Sequence, residues 1–173
     1  MTNVAIWFER KFTFPIPVEL LPNVLARLRG TPARLEESLR GHSAEVLTRK
    51  VLQKWSIQEH AGHLLDLEPL WLSRVNDYVT GEKQLTTADL TNHQTHQANH
   101  NTHSLVQILS DFRDARQKLL SRVSELEPAL FSQAIPHPRL GTPLQLIDHL
   151  YFVAEHDDHH LAMMWNLFSI YGV

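Results

Sequence analysis

The sequence predicts an all-α protein, an up-down four-helix bundle. Three observations carry that expectation. Apolar residues recur at three- and four-residue spacing in four separate stretches. Each stretch opens on a capping signal. No alternating stretch offers a convincing strand pair. Residues 1–173 are expected to form one domain, since a chain of this length buries roughly 70% of its unfolded surface.

Taken in order, the first 20 residues read as extended, because Phe12, Phe14, Pro15 and Pro17 disfavour helix. Thr31-Pro32 reads as the start of the first helix, which carries Ala33, Leu35 and Leu39 and stops at Gly41. Ser56 and Glu59 make a capping box for the second helix, and Trp55 packs back on its first turn as a staple. Ile57, Ala61, Leu64, Trp71, Val75 and Tyr78 form its apolar face, and Gly81 ends it. The third helix follows Leu105, Ile108, Leu109, Phe112, Leu119, Val123 and Leu126, with Ser104 and Gln107 as a box and Pro128 as its limit. Pro136 and Pro138 make residues 132–141 a loop. Thr142-Pro143-Leu144-Gln145 then opens the last helix, which runs through Leu150, Val153, Leu161 and Met164 to Tyr171, with Gly172 beyond it. The connection from Gly81 to about Thr102 is long, and such loops are more often functional than idle.

Composition removes several function classes. Lys plus Arg is 16 and Asp plus Glu is 19, so the net charge is -3 and nucleic-acid binding by bulk charge is excluded. There is no cysteine, hence no disulfide, thiolate metal site, iron–sulfur cluster or cysteine nucleophile. No P-loop, dinucleotide glycine pattern or GxSxG elbow is present. The N-terminus lacks the features of a signal peptide, and the uncharged stretch from Leu161 to Val173 is too short for a membrane span. The cytoplasm is the expected compartment.

Histidine stands at 12, and a transition metal here must sit on His, Asp or Glu. His156 and His160 are four apart on a predicted helix, the spacing that aims two imidazoles at one ion. The same pair also fits a polar stripe on a helix surface, given the carboxylates beside it. His60 and His63 on the second helix offer a third ligand, with His60 expected at the surface. His96 and His100 repeat the spacing, yet residues 92–103 have no apolar stripe, so His93, His96, His100 and His103 read as a solvated loop. A lid or substrate contact through Asn99, His100 or His103 stays open. His42, His137 and His149 stand alone and read as structural or exposed. Trp7, Trp55, Trp71 and Trp165 read as core or staple residues.

Two segments carry a family resemblance. Trp55-Ser56-Ile57-Gln58-Glu59-His60-Ala61-Gly62-His63-Leu64-Leu65-Asp66 resembles the WSxxEhxxHLxD segment of the DinB/YfiT-like superfamily. His156-Asp157-Asp158-His159-His160 resembles its HxxHH segment, and the Thr31-Pro32 start and the His137-Pro138-Arg139-Leu140-Gly141 loop resemble one of its bacterial subgroups. The resemblance runs from about Thr31 to the end. It implies a four-helix bundle holding one divalent metal, nickel or zinc before iron or manganese, on His63, His156 and His160, with His60 and His159 outside the ligand set. It also implies a homodimer and a small-molecule substrate, with a low-molecular-weight thiol as cosubstrate in thiol-dependent transferases and isomerases, or a metal-dependent hydrolase. Thiol-dependent transfer is the first choice and hydrolysis the second. Three imidazoles leave open positions on the metal, the arrangement of a catalytic site. Asp66, Glu155 or Asp158 could orient a ligand imidazole through its second nitrogen. A His-only site is expected to lose metal as pH falls through roughly 6.5. The rival readings are a non-catalytic metal-binding stress-response protein and a plain helical interaction module.

Overall fold

The computed structural model describes residues 4–173. Residues 4–20 are extended apart from single 3-10 turns at Trp7–Glu9 and Val18–Leu20. The first three positions of the expected extended segment, and of the stretch read for a leader, lie outside the described residues. Six helices follow: α1 (Leu21–Leu39), α2 (Ala44–Thr48), α3 (Ile57–Thr80), α4 (His93–Ala98), α5 (Leu105–Ser124) and α6 (Leu146–Tyr171). Short strands β1 (Ala134–Pro136) and β2 (Pro143–Gln145) lie between the last two. The long helices α1, α3, α5 and α6 form the expected four-helix bundle.

Two helix starts and one cap differ from expectation. α1 begins at Leu21, so Pro32 sits inside it and cannot donate to the Leu28 carbonyl. The cost is offset locally, because Arg116 Nη1 donates to that oxygen at 3.2 Å. Thr31 is not a cap: its hydroxyl donates at 2.8 Å to Asp157 Oδ2 in the core. Ser104 precedes α5 but caps nothing with its side chain. The last helix starts at Leu146 rather than Thr142, because Pro143–Gln145 pairs antiparallel with Ala134–Pro136. That pairing buries Ile135 and Leu144 opposite each other, which the expectation of no strand pair overlooked. Asp148 then accepts the Gln145 N–H at 2.9 Å and the Ile16 N–H at 2.8 Å, fastening the N-terminal segment to α6. The start of α3 is as expected. Ser56 and Glu59 exchange bonds of 2.8 and 3.1 Å, Trp55 meets His60 at 5.5 Å, and Gly81 closes the helix at φ +71°.

Cross-helix contacts fix the directions. Arg116 meets Glu68 and Arg122 meets Asn76, so α3 and α5 run parallel. Arg27 meets Glu155 and Arg34 meets Asp158, so α1 and α6 run parallel as well. Strict alternation therefore breaks once, at the connection 81–104, which is long enough to carry the chain back along the bundle. The main packing partners of α1 are α5 and α6, and those of α3 are likewise α5 and α6.

Two apolar clusters fill the interior, one around Leu28, Val75, Leu119 and Leu150, the other around Leu35, Leu64, Phe112 and Met164. Between them every long helix contributes one polar side chain. Arg116 bonds Glu68 at 2.6 Å and Asp157 at 2.6 Å, and Thr31 completes the layer. All four are buried. Burial pushes the Glu68 carboxyl up to about 7 despite Arg116, while the two carboxylates raise Arg116. Trp71 lies in the core, but Trp165, expected there too, is 59% exposed at the surface of α6. No described helix is long and apolar enough to cross a membrane.

Candidate metal centre

The antiparallel contact of α3 and α6 brings His63, His156 and His160 together. One ring nitrogen from each lies within 4.8 Å of the others, and all three residues are buried. His156 Nε2 and His160 Nε2 are 3.2 Å apart. Nitrogens bound tetrahedrally at 2.0–2.1 Å to one ion would be separated by about 3.3 Å, so this edge fits a shared metal. His63 Nδ1 meets Thr95 Oγ1 at 3.0 Å, which leaves its Nε2 for the cluster. His160 Nδ1 lies 2.9 Å from His60 Nδ1. His156 Nδ1 is buried without a hydrogen-bond partner.

Burial is the chief cause of the electrostatics here, reinforced by neighbouring imidazoles. It pushes His63 down to about 4 and His60 to about 3, and holds His156 and His160 well below the usual range. All four rings are neutral at pH 7, the form that ligates.

The other site expectations fare variously. His60 is buried, not at the surface, because it sits at the fourth position of α3 beneath Trp55. His93, His96 and His103 are exposed, but the solvated-loop reading fails for Thr95 and His100, which are buried against α3. Gln58 Nε2 donates to the carbonyls of His100 and His103 at 2.7 and 2.9 Å. Gly62 lets the His100 ring lie on α3, since a Cβ there would come within 2.2 Å of it. Asp66 Oδ2 meets His100 Nε2 at 2.9 Å, so it braces the 93–103 segment instead of a clustered imidazole. Glu155 is held by Arg10 and Arg27, and Asp158 by Arg27 and Arg34. Thr95 and His60 occupy the role offered to those carboxylates. Nothing in their spacing announced it, because both partnerships cross between elements. His42 stacks on Phe168 at 4.1 Å, and His149 is fully buried.

A cavity of about 310 Å³ opens beside the cluster, within the range of small-molecule sites. Trp7, Leu67, Trp71 and Phe152 form its walls, and His159 also lines it. Its far part reaches Arg74, His137 and Arg139.

The sequence pattern of the DinB superfamily matches residues 27–164. The chain belongs to the DinB superfamily. No curated protein matches its sequence. Among solved structures, this DinB protein is similar to YfiT from Bacillus subtilis, described as a probable metal-dependent hydrolase with an unusual four-helix bundle topology. The identity is 19% and the TM-score 0.82, over 95% of this chain and 94% of that one. It is also similar to the mycothiol-dependent maleylpyruvate isomerase, at 13% identity and a TM-score of 0.66, over 85% of this chain and 60% of that one. At these identities the likeness is one of fold.

Proposed function

We propose that this protein is a metal-dependent enzyme acting on a small molecule, with His63, His156 and His160 holding one divalent ion. The observation that carries this reading is the neutral three-histidine cluster at one end of a cavity. Nickel or zinc suits three imidazoles best, and iron or manganese is also compatible. Such an ion supplies Lewis acidity to a group that enters from the cavity. The chain's own residues do the rest. Thr95 and His60 fix the orientation of His63 and His160 through their second nitrogens. Trp7 and Trp71 pack against the His156 ring at 5.0 and 5.5 Å and shield that side from water. Thiol-dependent transfer or isomerisation is our first choice of reaction, supported by the fold shared with a mycothiol-dependent isomerase. Hydrolysis is second, supported by the fold shared with a probable metal-dependent hydrolase.

Elemental analysis of the purified protein beside a His156→Ala/His160→Ala variant tests the site. About one equivalent of metal in the parent, lost in the variant, is the expected outcome. A parent without metal after reloading would overturn the reading, and metal retained in the variant would move the site elsewhere.

A further inference from the structure

Two arginines at the far end of the cavity lack the partner that buried charge demands. Arg74 is 1% exposed, yet among the described residues no carboxylate lies within 4.0 Å of it. The contrast is Arg116, equally buried, which holds two carboxylates. Asp77 is the acid nearest in effect to Arg74, but its oxygens are taken by the backbone N–H and hydroxyl of Thr86. Arg139 is likewise without a carboxylate, and its Nη2 is buried with no hydrogen-bond partner. Its guanidinium lies over Phe152 at 5.5 Å, inside the cavity wall.

His137 sharpens the deficit. Its Nδ1 accepts the backbone N–H groups of Arg139 and Leu140, both at 3.2 Å. A neutral ring in that state carries its proton on Nε2. Nε2 is then a donor only 3.1 Å from Arg74 Nη1, another donor. Arg74 Nε donates to the Thr86 carbonyl at 2.9 Å, but its Nη1 and His137 Nε2 meet as donors with no carboxylate beside them among the described residues, and burial pushes Arg74 down to about 10 and lowers Arg139. Asp89 also lines the cavity, but it is exposed and engaged with Thr91 and His93.

We propose that Arg74 and Arg139 bind the carboxylate of an acid substrate whose apolar body lies along Trp71 and Phe152 toward the histidine cluster. This names the substrate class and rests on the reading of the cavity as the substrate site. Trp71 spans the two ends, 5.5 Å from the Arg74 guanidinium and 5.5 Å from the His156 ring. Arginine suits a carboxylate because its planar fork donates two parallel bonds.

The test compares 4-phenylbutyrate with its uncharged amide by calorimetric titration of the metal-loaded protein. The acid is expected to bind about tenfold tighter or better, the effect of charge-assisted bonds in a buried site. Arg139→Gln should erase that preference while the metal content stays unchanged, and Arg139→Lys should restore part of it. Arg74→Gln should act likewise, and Arg139, being only half-buried, carries the test if that variant does not fold. Equal binding of acid and amide, or a preference that survives Arg139→Gln, would overturn the proposal. So would a preference lost only in His156→Ala/His160→Ala, which would put the carboxylate on the metal. Inorganic phosphate binding tighter than the acid would replace the carboxylate class. An arginine-dependent preference in a protein that binds no metal would sustain this proposal and remove the metal reading instead.

Discussion

Gly62 shows what a single position decides. In an exposed helix, alanine would be favoured over glycine by about 1 kcal/mol. Here the added Cβ would meet the His100 ring at 2.2 Å, so the clash outweighs propensity. Gly62→Ala should lower stability and weaken metal binding, because Thr95 moves with the same segment. Pairing it with His100→Ala should recover part of the stability, and a double-mutant cycle by urea denaturation checks this. Thr95→Val should weaken metal affinity about 10–100-fold with the fold retained, the usual effect of removing a ligand's outer partner. A chelator competition reads it, and an unchanged affinity would show that Thr95 does not position His63. The His156–His160 pair was legible as i,i+4 spacing, which His96 and His100 share, so the choice of His63, His156 and His160 came from the family resemblance. Thr95 was not legible, since the residue it serves lies on another helix.

At the scale of elements, each long helix places one polar side chain in the layer between two apolar clusters. Arg116 is the common partner of Glu68 and Asp157. Replacing it with methionine leaves two buried carboxyl groups, Glu68 and Asp157, with no counter-charge, and such breaks cost about 3–5 kcal/mol. Arg116→Met should therefore lower the urea midpoint sharply, whereas Ser56→Ala at the α3 cap should cost only about 1 kcal/mol. Similar losses for the two would mean that the layer is hydrated and not the keystone of the core. Helix existence was readable from apolar periodicity, but the start of α1 was not. Pro32 looked like a first-turn residue until Arg116 supplied a partner for the carbonyl it stranded.

For the whole molecule, burial of histidine makes stability depend on pH. His149 is held well below its ordinary value by burial, and His137 is pushed to about 3 by burial beside Arg74 and Arg139. Between those values and about 6.5 the unfolded chain binds protons that the native state does not. Their contribution is fully present above pH 6.5 and is lost as pH falls below it, by up to about 1.4 kcal/mol per unit for each histidine. Glu68, raised to about 7 by burial, opposes this drift with one proton, but several buried histidines outweigh it. Urea denaturation at pH 7.5, 6.0 and 5.0 should therefore show a net decline, and a flat profile would mean that the histidine rings are solvated. A metal held only by the native state adds about 2.7 kcal/mol at one hundred times its Kd. A chelator should therefore lower the Tm of the parent but not of His156→Ala/His160→Ala.

The sequence by itself determined the four amphipathic helices, the cap at Ser56 and the histidine spacing, because each is written in residues three or four apart. Tertiary structure alone decided that α3 and α5 run parallel, that the 93–103 segment folds against α3, and that Arg74 and Arg139 converge without a counter-ion. Those outcomes depend on contacts between residues far apart in the chain. Their energies come from what each side chain meets after packing, and local spacing carries no record of that.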